Sequence, residues 1–450
     1  MGEARKKRIA LLRALPRQVE FRDYVPLFAP VLCTAWRRLG HEVLFCDRAV
    51  LDESTLWTNL CDFRPDVVAL SATLDSFVDL QRLAKQIRIR LPDAAIVAGG
   101  PHITELGDDA KKLLDPDVQV FAGDGCGYDP ALGAGIEIDY PRPLLPDWTG
   151  IDVLDYHPVI PVQTTIGCIN HCAYCSESTL FGDLRSIGVD EVVRYIADCV
   201  RTLKVYRFRF VDSTFSAPPS RFDAFCHGLM ALKLPIQWGA YVRWEQMSKE
   251  RIDLAVAAGC RSVFMGVESL NPAMTSVLRR SSNAGALRAL VQHARSVGIE
   301  VHCSLIFGLP HDTIDGVRLT AERILEVEPT TLSVNPFKLG PGSEYGRHPE
   351  AHGITIYDPN WKLKQHLYQS DREYYDDFRV DGFSKDDVFT LIAEFTERIQ
   401  LRSAASGGGP MRLPLTSDWS LFEVNNKRSF DGPSSSAELT SDVDLCAVEL

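Results

Sequence analysis

Thr165-Ile166-Gly167-Cys168-Ile169-Asn170-His171-Cys172-Ala173-Tyr174-Cys175 decides how the rest of the chain is read. Three cysteines stand at C-x3-C-x2-C spacing after an apolar extended run, Val159 to Val162, and a glycine. A long helical pattern begins only after the loop closes. Three thiolates on one short loop suit three irons of a cubic [4Fe–4S] cluster and leave the fourth iron open to a ligand. A structural zinc site wants a fourth ligand and usually two C-x2-C halves. His171 offers that ligand, but inside the loop its side chain competes with the cysteines for space. The spacing favours Cys168, Cys172 and Cys175 as cluster ligands over zinc or chance thiols.

Outward from the loop, composition sets the bounds. The chain has 450 residues, 45% hydrophobic and 24% charged, enough for a large core and roughly two to three domains. Its formal net charge is −12, and the only basic run is the short Arg5-Lys6-Lys7-Arg8, so a nucleic-acid role has little electrostatic support. No apolar run approaches the ~18–20 residues that span a membrane, and no signal peptide is read ahead of the first strand. Twelve cysteines without an export signal point to the reducing cytoplasm. Those outside the loop are scattered and read as small buried hydrophobes.

Residues 1 to about 125 alternate strands and helices: Arg8–Ala14, Glu42–Cys46, Asp66–Ser71, Ala95–Ala98 and Val118–Ala122 as strands, Tyr24–Leu39 and Phe77–Leu91 as helices. This pattern predicts an open, doubly wound parallel sheet, whose ligands bind beyond the carboxyl ends of the strands. Those ends are small and polar: Ser71-Ala72-Thr73, Gly99-Gly100-Pro101-His102 and Gly123-Asp124-Gly125. Small residues let backbone approach a large flat ligand closely. A dinucleotide site is disfavoured, because Leu15-Pro16-Arg17 follows the first strand where G-x-G-x-x-G would stand. A closing helix is expected after Gly125, yet Cys126 to Gly135 is short and glycine-rich.

Pro141 to Asp155 reads as a connector. From Pro158 the alternation restarts. Six strands, Pro158–Thr165, Tyr206–Val211, Ile236–Val242, Ser262–Val267, Glu300–Phe307 and Thr331–Phe337, alternate with helices and predict a partial (β/α)6 TIM-type barrel. Polar or turn residues stand at the carboxyl ends of its strands, where chemistry belongs: Asp212, Arg243, Glu268 and Gly308-Leu309-Pro310. The expected division is 1–140, a linker 141–157, a barrel 158–345, a covering segment 346–405 and a mobile tail 406–450. In the covering segment Tyr368, Tyr374 and Tyr375 are candidates to face a substrate, with a core role as the alternative.

The first third resembles the flavodoxin-like cobalamin-binding domain found ahead of many radical S-adenosylmethionine (SAM) enzymes. The resemblance rests on Ser71-Ala72-Thr73, on the G-G-P-H run and on G-D-G where relatives usually show G-E-G-E. It implies cobalamin contacts at Ser71, Thr73, Gly99, Gly100, His102, Gly123 and Gly125. The D-x-H-x-x-G motif that gives cobalt a histidine in mutase-type relatives is absent. Residues 158–345 resemble the radical SAM superfamily through the cysteine triad, Tyr174 between its last two members, Phe210-Val211-Asp212, Tyr241-Val242-Arg243, Gly266-Val267-Glu268-Ser269, Ile306 to Pro310 and Pro341-Gly342-Ser343. That resemblance implies SAM contacts at Tyr174, Asp212, Arg243, Glu268, Gly308 and Pro310.

Together the resemblances imply a [4Fe–4S] cluster, SAM and cobalamin as cofactors, a flavodoxin- or ferredoxin-type electron donor and a small-molecule substrate, with no nucleic acid or membrane partner. The implied activity is radical C-methylation of an unactivated carbon in a small secondary metabolite. A cobalamin-containing radical enzyme that cyclises, contracts a ring or oxidises fits the same motifs. A non-catalytic iron–sulfur or zinc scaffold is the reading from another class.

Overall fold

The computed structural model describes residues 6–15, 25–137, 143–156, 159–368 and 370–405. Tyr24, parts of the expected linker and the expected tail 406–450 lie outside the described residues.

The first sheet is built from β1 (Arg8–Arg13), β2 (Glu42–Cys46), β3 (Val67–Ser71), β4 (Ala95–Gly99) and β5 (Val118–Val120), all parallel, in the spatial order β2-β1-β3-β4-β5. Successive residues of β1 alternate between two cores, as the period of a strand requires. Ala10 and Leu12 face helices α2 (Glu53–Phe63) and α3 (Phe77–Arg90), and Ile9 and Leu11 face α1 (Phe28–Arg38). A strand buried on both sides must be apolar throughout, which is why RIALLR shows no polar alternation. Helix α2 escaped the sequence reading because ESTLWTNLCDF has weak apolar spacing. Its start is fixed by Asp52, whose carboxylate accepts from Thr55 N at 2.9 Å and from the Ser54 and Thr55 hydroxyls at 2.6 Å each.

Among the described residues no closing helix follows Gly125. A single tight turn, Gly125–Gly127, leads into the paired two-residue strands Tyr128–Asp129 and Ala134–Gly135. The edge is tied to α1 and β2 instead: Trp36 Nε1 donates to Tyr128 O at 3.0 Å, and His41 Nε2 meets Asp129 Oδ1 at 3.1 Å. The connector is buried rather than loose. Trp148, Ile151, Val153 and Tyr156 pack into the core that α1 shares with the second sheet, and the Tyr156 hydroxyl donates to Asp47 Oδ2 at 2.9 Å.

The second sheet runs β6 (Ile160–Val162), β7 (Arg207–Phe210), β8 (Gln237–Val242), β9 (Cys260–Glu268), β10 (Glu300–Phe307) and β11 (Thr331–Pro336), neighbours in chain order and all parallel. Helices α5 (Val189–Leu203), α6 (Pro219–Ala231), α7 (Lys249–Ala257), α8 (Ala284–Ser296) and α9 (Ile314–Val327) make the crossovers. Val263, Met265 and Val267 of β9 and Val301, Cys303 and Leu305 of β10 are fully buried in the core with these helices, while Phe264, Gly266, His302 and Ile306 are only half-buried. The sheet is a partial barrel whose carboxyl edge carries the cysteine loop. Helix α10 (Lys385–Ala405) packs on α9, β10 and β11.

Candidate functional site

The cysteine loop starts where the chain can turn only as glycine. Gly167 has φ +79°, and a Cβ there would lie 2.5 Å from Gly182 O and 2.6 Å from Asp183 O. Just before it, Asp212 at the end of β7 is wholly buried. It accepts from Thr164 N (2.7 Å), Thr164 Oγ1 (2.9 Å), Thr165 Oγ1 (2.8 Å) and Thr165 N. Burial pushes its carboxyl above the ordinary carboxylate range, and these four donors offset only part of that rise. The sequence suggested a SAM contact at Asp212. In the fold its oxygens are turned to the two threonines, so it holds the strand that launches the loop.

The thiols are free of disulfides among the described residues. Cys168 Sγ accepts from Asn170 N at 3.4 Å and Asn170 Nδ2 at 3.5 Å, and Cys175 Sγ from Glu177 N at 3.5 Å. Amide donors aimed at sulfur stabilise thiolates and tune a cluster. Burial, with the neighbouring Cys172, Glu177 and Cys168 adding to it and the Glu177 N–H opposing it, pushes the Cys175 thiol up to about 11. Among the described residues no three His, Cys, Asp or Glu side chains gather around a point fit for one ion. Three free thiols spread along one loop fit a cluster's ligand set. His171 is exposed at the loop surface.

Two groups join the loop to the barrel edge. Arg243, after β8, donates to Asn170 Oδ1 and to Arg279 O, and pairs with Glu245 Oε2 at 3.4 Å. Tyr174 donates to Glu268 Oε1 at 3.2 Å at the end of β9. Arg280 closes that pair: it reaches Tyr174 Oη at 3.3 Å, Glu268 Oε1 at 3.6 Å and Gly266 O at 2.7 Å. Burial raises both the Tyr174 phenol and the Glu268 carboxyl, and the Arg280 guanidinium opposes both shifts. Arg280 was missed because it lies in Leu278-Arg279-Arg280-Ser281, a basic pair that carries no motif. Gly308 (φ +81°) and Pro310 turn the chain after β10 against α10, and a Cβ on Gly308 would sit 2.8 Å from Val388 Cγ2. Tyr374 and Tyr375 are buried, Tyr375 against Phe378 and Phe389, while Tyr368 packs edge-on to Tyr374.

A cavity of about 280 Å³ lies at the carboxyl edge of the first sheet, beside the β1/β3 point where strand order reverses. Its floor is Leu11, Ala69 and Val97, its rim Ser71, Gly99, Gly100, Gly123 and Gly125. Gln163, Ile166 and Phe181, from either side of the cysteine loop, form part of its wall. An apolar floor with a glycine rim fits a broad flat macrocycle such as a corrin. Thr73 and His102 stand outside that lining. Thr73 is turned to Ser76, whose Oγ accepts from its N–H at 2.9 Å. His102 points into α3 and the covering segment, 5.0 Å from the Phe77 ring and 5.9 Å from His366 between centroids. Both its ring nitrogens are buried without a partner, and burial, helped by His366, lowers it to about 4. It follows Pro101 on a helical turn, so its direction is opposite to the one the G-G-P-H run suggested.

A second cavity, about 680 Å³, opens beside Cys172 and Cys175 and is walled by Arg279, His311 and Tyr345 among others. Tyr345 is wholly buried, its hydroxyl has no partner, and its N–H donates to Ala173 O of the loop at 3.1 Å. A buried hydroxyl without a partner at a cavity wall is a candidate ligand contact. Nothing in the sequence singled it out.

A model of the radical SAM superfamily matches residues 162–324, and a model of the B12 binding domain matches residues 21–128. An uncharacterized methyltransferase of Pyrococcus horikoshii is 23% identical over 67% of this chain and 75% of its own length. The hopanoid C-3 methylase of Methylococcus capsulatus is 25% identical over 74% of this chain and 70% of its own. Among solved structures, the radical S-adenosylmethionine methyltransferase TsrM from Kitasatospora setae, with cobalamin and a [4Fe–4S] cluster bound, superposes with a TM-score of 0.70 at 17% identity, over 91% of this chain and 93% of that one.

Proposed function

This chain carries a B12 binding domain followed by a radical SAM domain, and from that premise we propose that it is a cobalamin-dependent methyltransferase acting on an unactivated carbon of a small secondary metabolite. One observation carries the reading. Residues flanking the three-thiol loop, Gln163, Ile166 and Phe181, also wall the glycine-rimmed cavity, so the two cofactor sites adjoin.

Cys168, Cys172 and Cys175 would hold the cluster, which with SAM would supply radical chemistry, and a bound cobalamin would supply the methyl group. The chain's own part is to hold and to exclude. Asp212 fixes Thr164 and Thr165, Arg243 fixes Asn170, and Arg280 fixes Tyr174 against Glu268. Tyr174, Glu268, Arg243, Gly308 and Pro310 are the proposed SAM-side residues. Ser71, Gly99, Gly100, Gly123 and Gly125 are the proposed corrin-side residues. A flavodoxin- or ferredoxin-type protein is the proposed electron donor. No helix among the described residues is long and apolar enough to cross a membrane.

Anaerobic reconstitution with iron, sulfide and hydroxocobalamin tests the reading, with cluster and corrin absorbance followed together. Uptake of both is expected; uptake of the cluster alone would sink the methyltransferase reading. Turnover should then give S-adenosylhomocysteine and 5′-deoxyadenosine in step with product. 5′-Deoxyadenosine alone would point to a radical reaction without methylation.

A further inference from the structure

The two cofactor regions are joined by one carboxylate. Glu105 lies on α4 (Pro101–Leu106), the short helix that leaves the glycine rim of the first cavity, and its Oε1 accepts two hydrogen bonds from the other domain. The Ser176 hydroxyl donates at 2.9 Å and the Gly342 N–H at 3.1 Å. Ser176 is the residue directly after Cys175. It occupies the N-cap of the short helix Glu177–Phe181, yet its hydroxyl makes no cap bond and goes to Glu105 instead. Gly342 belongs to the Pro341-Gly342-Ser343 turn after β11.

The surroundings are shaped for this contact. A Cβ on Gly342 would lie 3.2 Å from both Cβ and Oγ of Ser176, and one on Gly340 3.3 Å from Glu105 Oε1. A side chain at either glycine would crowd Ser176 and Glu105, which would have to give by a few tenths of an ångström. The turn also holds the loop from its other side, because Tyr345 N donates to Ala173 O. On the first domain, α4 is locked to the cavity rim. Thr104 Oγ1 donates to Gly100 O at 2.9 Å and accepts from Gly123 N at 3.1 Å, and Pro101 and Thr104 line the cavity. The other anchors described for the loop, Asp212, Arg243, Arg280 and Tyr345, all come from residues after 160. Glu105 comes from the first domain.

We infer that Glu105 is a positioning residue that sets the register of the cluster loop against the corrin domain, so that a corrin seated on the α4 rim is felt at Ser176 and Gly342. The inference rests on the proposed cofactor reading. Its chemistry is that of a bridging acceptor: one oxygen serves two donors on separate elements, and losing it frees both at once.

Backbone hydrogen exchange read by mass spectrometry tests it in the full chain without cofactors, comparing Glu105→Ala, Glu105→Gln and Ser176→Ala. Glu105→Ala should speed exchange about tenfold in peptides covering both 172–180 and 338–346, the loss of a hydrogen bond worth roughly 1–1.5 kcal/mol. Glu105→Gln keeps an acceptor oxygen and should stay within about twofold of wild type. Ser176→Ala should loosen 172–180 while leaving 338–346 protected, and it serves if Glu105→Ala folds poorly. Equal exchange in Glu105→Ala and wild type overturns the latch. Hydroxocobalamin is then added. Wild type should gain protection in both segments and Glu105→Ala should bind corrin without gaining it. Corrin bound without protection in wild type overturns the coupling. Absence of corrin uptake by wild type overturns both the cofactor reading and the coupling, while the cofactor-free comparison still decides the latch. In doubly loaded, reduced protein, the dipolar coupling between the cobalt(II) and cluster spins should broaden in Glu105→Ala and be restored in Glu105→Gln, a readout that a general loss of stability does not move.

Discussion

Removing the Asp212 carboxylate should cost the protein its cluster while leaving every cysteine in place. Asp212 has no exposed surface and answers four donors, two of them the backbone N–H groups of Thr164 and Thr165. In Asp212→Ala both N–H groups are stranded in a dry site, at ~1–3 kcal/mol each. The two hydroxyls can rotate to other acceptors, so the total settles at about 3–5 kcal/mol. Asp212→Asn is far milder. An amide oxygen in the place of Oδ1 still serves both N–H groups and Thr165 Oγ1, and the NH2 meets only the Thr164 hydroxyl, to which Arg221 already donates at 3.0 Å. That substitution should cost about 1 kcal/mol. Because the damage falls on the strand that launches the loop, 3–5 kcal/mol raises the open population of Gly167 to Cys175 on the order of 10²- to 5 × 10³-fold. The assay is iron and sulfide content after anaerobic reconstitution, paired with thermal unfolding of the cofactor-free chain. Asp212→Ala should melt early and hold a small fraction of the wild-type iron, and Asp212→Asn should hold most of it. The pH dependence of stability separates charge from hydrogen bonding. The raised carboxyl binds a proton in the fold more readily than in the unfolded chain, so its contribution falls as pH rises through its folded value. The stability gap between wild type and Asp212→Asn should therefore narrow toward high pH. Asp212→Ala with wild-type melting and full iron would refute the argument.

Gly308→Ala forces a side chain into φ +81° and within 2.8 Å of Val388 Cγ2, so it should destabilise by ~2–4 kcal/mol, and Val388→Ala in the same chain should recover the packing part but not the backbone part; unfolding midpoints of the single and double variants read both. His102 is lowered from 6.5 to about 4 by burial, which means the unfolded chain takes up the proton first. Stability should fall as pH drops from about 6.5 to about 4, by up to ~3 kcal/mol from this residue, and His102→Leu should flatten that slope in urea titrations at stepped pH. His302, lowered to about 4 in the same way, should keep part of the slope in the variant. Tyr345→Phe removes a buried, partnerless hydroxyl, so the cofactor-free chain should become more stable by about 1 kcal/mol while SAM uptake by the reconstituted protein weakens; melting curves and equilibrium dialysis check the two halves, and unchanged dialysis would leave the hydroxyl without a ligand.

Strands were legible because short stretches rich in apolar and β-branched residues stand between turn residues: Glu42–Cys46 and Glu300–Phe307 stand as expected from the sequence. Helix α2 was not, because its start depends on the Asp52 cap and its apolar positions, Leu56, Trp57 and Leu60, are few. The thiol loop was legible because spacing alone constrains three ligands on a short segment. Direction was not. Asp212 and His102 each sit in a motif-like run beside a cofactor region, and both turn away from it, one toward threonines and one toward α3. Local sequence reports which residue stands at a strand end; which way its side chain goes is decided by partners far along the chain, such as His366 for His102 and Arg280 for Tyr174 and Glu268.

That dependence on distant partners also accounts for the small residues around the loop. A cluster loop that only had to hold iron would need its cysteines and a turn. Here Gly340 and Gly342 exist to bring a backbone N–H up to Glu105, and Gly346 to fold the turn so tightly that a Cβ would stand 2.0 Å from Gly340 O. The same turn delivers Tyr345 to the cavity wall and its N–H to Ala173. Glycines after β11, a carboxylate on α4 and a serine after the third cysteine therefore form one joint, although 237 residues separate Glu105 from Gly342. Close spacing of the two cofactor regions is worth little unless their separation is held, since a transfer geometry loose by about 1 Å can cost about 10²-fold in rate. The joint is where this fold meets that requirement, and it ties stability of the cluster loop to the integrity of a domain that contributes no cysteine to it.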